Sequence, residues 1–251
     1  TAAAAALELG PHDVITTPVY SGANPGEAVI KASGDVWMNH ASVDKLAAQL
    51  AGRGITQVLI DTSLWEGMPE LPDGWHAEDI DGGYVAPLQP AALSAGRGLD
   101  TETGDVPRSH TPALDVAQAL ADAIGAGPAA PGTVPAGAEQ IAAVDSPDLT
   151  DRLAATMKDS DNVYAEAIGR EVALARGTKD APGATLSVLE ERGFNTAGVV
   201  LRDNSGLSTE DRIAPKLLDA ILADAATKPE LRPIFSTLPV AAGDGTLEDR
   251  Y

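Results

Sequence analysis

The chain has no cysteine. That excludes disulfides, thiol nucleophiles and cysteine-type zinc sites, and it leaves the redox compartment open, because exported bacterial proteins often do without the residue. Aromatic residues are scarce: they make up 4% of 251 positions, against 44% hydrophobic residues in all. A sizeable core is available, but small aliphatic side chains must build it. Basic residues are also few. Lys and Arg total 17 against 37 Asp and Glu, a formal net charge of −20. Such a surface repels nucleic acid and anionic membranes, so neither is expected as a partner. The acidity serves solubility and gives no direct hint of substrate. No apolar run approaches the ~20 residues needed to cross a bilayer. His12, His40, His76 and His110 are scattered without H-x-x-x-H or carboxylate spacing, and no metal site is expected. EDIDGG (78–83) lacks the ligand run and terminal Glu of a calcium loop and reads as a surface turn.

The opening TAAAAALELG carries neither an initiator Met nor a basic leader region,. It reads as the end of an alanine-rich helix stopped by Gly10-Pro11. The closing GTLEDRY has no polar tail. Both ends are expected to belong to a longer parent chain.

Between them, periodicity and punctuation predict a strand over 14–20 and a second within AVIKASGDVW, after the turn chemistry of 24–27,. A helix is expected over 42–54, with Ser42 as N-cap and Val43, Leu46, Ala47 and Leu50 on one face. A buried strand follows over 55–65. From Glu66 to Pro112 the pattern is lost to Pro, Gly and Asp, with Trp65, Trp75 and Tyr84 as expected anchors. A helix over 111–126 has Thr111 at N-cap, Pro112 at N1 and Gly after its last turn. A Pro/Gly/Ala linker or extended loop spans 127–139 and a short strand 140–146,. Helices are then expected over 146–160 (capped by Ser146), 162–177, 181–193 and 214–227, with a strand over 198–203 and a turn at NSGLS. Helices grouped together and strands at the flanks predict an α/β sandwich with a helical subdomain.

The most informative residues are Ser160, Asp161 and Asn162, on a tight turn between two expected helices. A hydroxyl and a carboxamide two positions apart on such a turn can face one cleft. S-D-N is one of three signatures of serine acyltransferases that react with penicillin; the others are S-x-x-K and K-T-G. Alone, the match also fits a plain Asp/Asn turn at a helix end. Here the flanking amphipathic helix, with Val163, Ile168 and Val172 on one face, preorganises the turn. RDNSGLS (202–208) follows a strand and, read alone, is a β-turn with Gly206 at positive φ,. Ser42-Val43-Asp44-Lys45 satisfies S-x-x-K literally, and i and i+3 share a helix face. But Ser42 is a good N-cap and Lys45 falls on an exposed flank, so this match is read as a decoy.

The order SDNVYAEAIGREVA, then DNSGLS with RIAP close behind, then LPVAAGDGTLEDRY, resembles the S13 family of penicillin-binding proteins, D-alanyl-D-alanine carboxypeptidase/endopeptidases of the low-molecular-mass class C type. The resemblance is strong from Ser146 to Tyr251. It extends more loosely to TAAAAALELGP, LIDTSLW and GWHAEDIDGGYVAP. It implies a mixed α/β (α+β) fold: a penicillin-binding, serine β-lactamase-like transpeptidase domain with a helical subdomain, over 1–13 and 111–251, and a smaller inserted α/β domain over 14–110. It implies that S-x-x-K lies just before Thr1 and K-T-G just past Tyr251. It assigns catalytic roles to Ser160, which would pass a proton to the departing amine, and to Asn162, which would bind a substrate peptide group and steady the catalytic lysine. Asp161 would brace the turn, with Asp203, Ser205 and Gly206 in support. The family usually has Gly where this chain has Asn204, and Asn tolerates the left-handed conformation that such a turn would require. The implied partners are peptidoglycan peptides ending in D-Ala-D-Ala and β-lactams. No cofactor is required, and the implied location is periplasmic, cell-wall or extracellular. Two alternatives stay open: a class A-like β-lactamase, which the long stretch before S-D-N argues against, and a non-catalytic wall-binding protein that lost its nucleophile.

Overall fold

The structure is a computed structural model that describes residues 1–250. In chain order the elements are α1 (Ala2–Glu8), β1 (Thr16–Ser21), β2 (Glu27–Lys31), β3 (Asp35–Met38), α2 (His40–Leu50), β4 (Gln57–Asp61), α3 (Glu78–Asp81), β5 (Ala91–Leu93), α4 (Pro112–Ile124), β6 (Ala130–Pro131), β7 (Gln140–Asp145), α5 (Leu149–Asp159), α6 (Asn162–Ala175), α7 (Ala181–Glu191), α8 (Pro215–Thr227) and α9 (Pro233–Thr237). They divide into two compact units: Val14–Glu70 with Glu78–Ser146, and Thr1–Asp13 with Leu71–Ala77 and Pro147–Tyr251.

The first unit is built on a five-stranded sheet in the order β6-β4-β2-β1-β7. β2, β4 and β6 run parallel, and β1 pairs antiparallel with β2 and β7. β3 and β5 form a separate parallel pair. Val19, Ala28, Ile30, Val58, Ile60, Ala142 and Val144 on the sheet meet Val43, Leu46 and Leu50 of α2 and Val116, Leu120 and Ala121 of α4. Parallel neighbours need crossover helices, and these two helices serve as the crossovers. The edge strand β7 is covered locally: the Gln49 amide of α2 donates to the Ala143 carbonyl (2.8 Å) and accepts its N–H (3.1 Å). That satisfies backbone groups an open edge would present to another chain.

The sheet places residues 111–146 differently from the expectation. The Pro/Gly/Ala stretch reads as a linker or extended loop, but β6 lies inside it and pairs with β4. With β7 in the same sheet and α4 in its core, 111–146 belongs with 14–70 rather than with the helices that follow. Ser42 is also corrected. Asn39 is the N-cap of α2 and its side chain accepts the Ser42 N–H (3.3 Å), while the Ser42 hydroxyl oxygen accepts the Asn39 N–H (3.4 Å), a reciprocal capping box. Thr111, Pro112 and Gly125 bound α4 as expected, Gly125 at φ 71°. Of the three aromatic anchors, Trp65 and Trp75 are buried but Tyr84 is 49% exposed.

The second unit is helical. Ala3, Ala4, Ala5 and Ala6 of α1 are buried, and their small side chains let α1 pack closely among α6, α7 and α9. α5 is capped by Asp148, which accepts the Asp151 N–H (3.0 Å), not by Ser146. Arg152 is fully buried on α5 and answered by Glu171 of α6 (2.6 Å) and Asp13 (2.8 Å). The strand expected over 198–203 reduces to an isolated bridge between Val200 and Arg212; no second strand lies beside it among the described residues of this unit. No helix of the described residues is long and apolar enough to cross a membrane.

Leu120 is fully buried where α4 meets the sheet. Leu120→Ala is expected to lower stability by about 2–5 kcal/mol, read as a shift in the urea midpoint of the sheet unit's unfolding with an unchanged slope.

Candidate active site

α5 ends at Asp159 and α6 starts at Asn162, so only Ser160 and Asp161 reverse the chain. Ser160 takes the left-handed conformation (φ 54°, ψ 43°), with its N–H on the Thr156 carbonyl. For a residue with a Cβ that conformation costs roughly 1–2 kcal/mol. Asp161 is buried and caps α6, its carboxylate accepting the Tyr164 N–H (2.9 Å). Ser160, on the strained residue, is exposed, and Asn162, in the first turn of α6, is half-buried.

All three residues line a cavity of about 480 Å³. Its other polar wall is Asp203, Asn204, Ser205, Gly206 and Asp211, and the first turn of α1 (Thr1, Ala2, Ala3) also opens on it. The remaining walls are apolar, with Leu153, Ile168, Leu189, Leu217 and Ile221 among them. Ser160, Asp161, Asn162, Asp203, Ser205 and Gly206, singled out from sequence, thus meet at one cavity. Ser42 does not: it belongs to the sheet unit, engaged in its capping box, with Lys45 exposed. Among the described residues no group of three or more His, Asp or Glu is arranged to hold a metal ion.

The 203–208 turn is organised by one carboxylate. Asp203 accepts the Ser205 hydroxyl (2.6 Å), the Gly206 N–H (2.9 Å), the Trp75 indole N–H (2.9 Å) and the Ser208 N–H (3.3 Å). Burial opposes its charge, but these donors hold its pKa below the usual carboxylate value. Gly206 is the left-handed residue of the turn (φ 85°), as expected; Asn204 is not left-handed, so its side chain serves another purpose. Its Oδ1 accepts the Thr185 hydroxyl (2.6 Å), its carbonyl accepts the Thr1 hydroxyl (2.6 Å), and its N–H donates to Glu166 (2.6 Å). It also lies on Gly169 of α6, where an added Cβ would come within 2.3 Å of the Asn204 Cγ. Gly74 is similarly tight: a Cβ there would meet the Ser208 Oγ at 2.6 Å.

Glu166 is 3% exposed. Burial pushes its pKa up to about 7, against the pull of the Asn204 N–H and of Arg170. Asp211 is raised by burial and by the neighbouring Asp203 carboxyl. Sequence reasoning passed over Glu166, Gly169, Thr185 and Asp211. The signal for Glu166 was present: a carboxylate four residues after Asn162 lies on the same helical face.

The fold is that of penicillin binding protein 4. The crystal structure of penicillin binding protein 4 (dacB) from Haemophilus influenzae superposes with a TM-score of 0.76, at 20% identity, over 99% of this chain and 73% of that one. The sequence narrows this to a family: residues 1–120 and 101–251 match the D-Ala-D-Ala carboxypeptidase 3 (S13) family, and the chain belongs to it. It is 40% identical over 275 aligned residues to carboxypeptidase DacB of Mycolicibacterium smegmatis, and equally to carboxypeptidase Rv3627c of Mycobacterium tuberculosis. Each alignment takes in the whole of this chain, which spans 59% of the length of either relative.

Gly169→Ala tests the packing of Asn204. Alanine gains up to about 1 kcal/mol in helix propensity, but overpacking costs about 1–3 kcal/mol; a net fall in melting temperature is expected. Glu166 sets a pH dependence. Its folded pKa lies above the ordinary 4.5, so the folded state holds the extra proton. The stabilisation is fully present below the ordinary value and is lost as pH rises through about 7. Denaturation midpoints should therefore fall from about pH 5 to about pH 8, and less steeply in Glu166→Gln.

Proposed function

We propose that the full-length protein is a serine D-Ala-D-Ala carboxypeptidase/endopeptidase that works on peptidoglycan peptides through an acyl-enzyme. The observation that carries this is the meeting of three features at one cavity: the Ser160–Asn162 pair, the 203–208 turn and the first turn of α1. The resemblance puts S-x-x-K immediately ahead of α1, so a nucleophile on that helix would emerge beside Ser160 and Asn162. The carboxypeptidase names of the two mycobacterial relatives support the same reaction.

In the proposed cycle the nucleophilic serine gives its proton to the motif lysine and attacks the carbonyl of the D-Ala-D-Ala bond. Backbone N–H groups hold the oxyanion. The C–N bond breaks as the leaving D-alanine nitrogen takes a proton through the Ser160 hydroxyl. The Asn162 amide binds the substrate's peptide group and orients the lysine. Water then attacks the ester, releasing the shortened peptide and returning a proton to the serine. A β-lactam would acylate the same serine; a second structure of the Haemophilus influenzae protein, in the same fold, carries one. A substrate in the wall makes the protein an exported one.

The test uses the full-length polypeptide, fluorescent penicillin and a D-Ala-D-Ala peptide. Wild type should be covalently labelled, and Ser160→Ala should cut peptide hydrolysis by about 10²-fold or more, the scale of a lost proton relay. Ser160→Gly should be equally impaired without losing stability, because glycine accepts the left-handed backbone. A wild-type protein that never labels, or Ser160→Ala with unchanged turnover, refutes the reading.

A further inference from the structure

One buried acid has no part in the cycle above. Glu166 stands one helical turn beyond Asn162 on α6, facing inward. Carboxylates are almost never fully buried without partners, and removing one from water is costly. A leucine would fill the space at no such cost. The hydrogen-bond partner of Glu166 is the backbone N–H of Asn204, at 2.6 Å, in the turn that lines the same cavity as Ser160, and Arg170 also favours its charge. Asn204 is held at further points as well: its carbonyl and its Oδ1 each accept a hydroxyl, and Gly169 leaves no room beneath it. Of these contacts only the bond to Glu166 has an ionisable acceptor, and 2.6 Å is short for an N–H···O bond,. Asn204 is followed by Ser205 and Gly206, which line the cavity.

We propose that Glu166 is a positioning residue: its carboxylate ties the 203–208 turn to the helix that carries Asn162, and so sets the width of the site between them. The inference rests on the function proposed above, because it assigns Glu166 to that site. Catalysis of this kind tolerates little slack, since a displacement of ~1 Å can cost about 10²-fold.

The experiment compares wild type, Glu166→Gln, Glu166→Ala and Glu166→Leu in the full-length protein. One readout is the rate of acylation by fluorescent penicillin; the other is amide hydrogen exchange over residues 203–208. Glu166→Ala should slow acylation about 10- to 100-fold, the scale of a buried N–H left without its acceptor, and speed exchange in the turn. Glu166→Gln keeps an oxygen acceptor and should recover acylation to within about fivefold of wild type, with slow exchange. A residue that only fills space would also be replaced by leucine without loss, whereas Glu166→Leu, with no acceptor for the Asn204 N–H, should stay as slow as Glu166→Ala. Should Glu166→Ala fail to fold, Glu166→Asp, one methylene short of the Asn204 N–H, is expected to give the same losses. Acylation at the wild-type rate in Glu166→Ala, or no recovery in Glu166→Gln, overturns the proposal. If wild type itself is never acylated, the proposed function fails instead. Exchange then decides the tie alone: unchanged protection in Glu166→Ala refutes it.

Discussion

The helical unit turns on a two-residue reversal. Between Asp159 and Asn162 the chain has only Ser160 and Asp161 in which to change direction, and it does so by holding Ser160 left-handed. Strain of that kind persists only where the surroundings over-determine it. Here the Thr156 carbonyl holds the Ser160 N–H, and Asp161 caps the next helix. A longer loop would relieve the strain, but the hydroxyl and the carboxamide would then lose their fixed relation. The remaining parts of the site are arranged around this reversal.

Buried acids and an arginine do the arranging. Asp203 gathers two backbone N–H groups, a hydroxyl and an indole into one turn. Glu166 reaches the same turn from α6, and Arg152 joins α5, α6 and the segment after α1 through Glu171 and Asp13. An apolar core of alanine and leucine could pack these helices, but it would not select one spacing between the two turns. Hydrogen bonds have directions, and removing one partner of a buried ionic pair costs about 3–5 kcal/mol. The polar network thus specifies geometry that the small-residue core leaves loose.

Much of this was legible along the chain. The helices from α4 to α8 follow their apolar periodicity, and the Pro112 start and Gly125 stop of α4 lie where local chemistry requires them. Six of the cavity's residues, Ser160, Asp161, Asn162, Asp203, Ser205 and Gly206, were legible too, as motifs. What was not legible was pairing. The apolar run Val199-Val200-Leu201 carries a strand signal, but a strand needs a neighbour that this unit does not supply among its described residues, so only the Val200–Arg212 bridge forms. β6 is two residues long and hidden in a stretch with linker composition, and its pairing with β4 is what ties that stretch to the sheet. Ser42 and Ser146 look like caps in isolation, but Asn39 and Asp148 hold the cap positions.

Local rules therefore decided which segments are helical, which turns need glycine, and which side chains carry chemistry, because those depend on neighbours within a few residues. The tertiary structure alone decided that the turn at 160–162 and the turn at 203–206 share a cavity, that Trp75 and Glu166 brace it, and that Asn204 must sit on a glycine. Contacts between residues so far apart in the chain leave no periodicity to read. They exist only once the helices have packed and the buried carboxylates have found the donors that satisfy them.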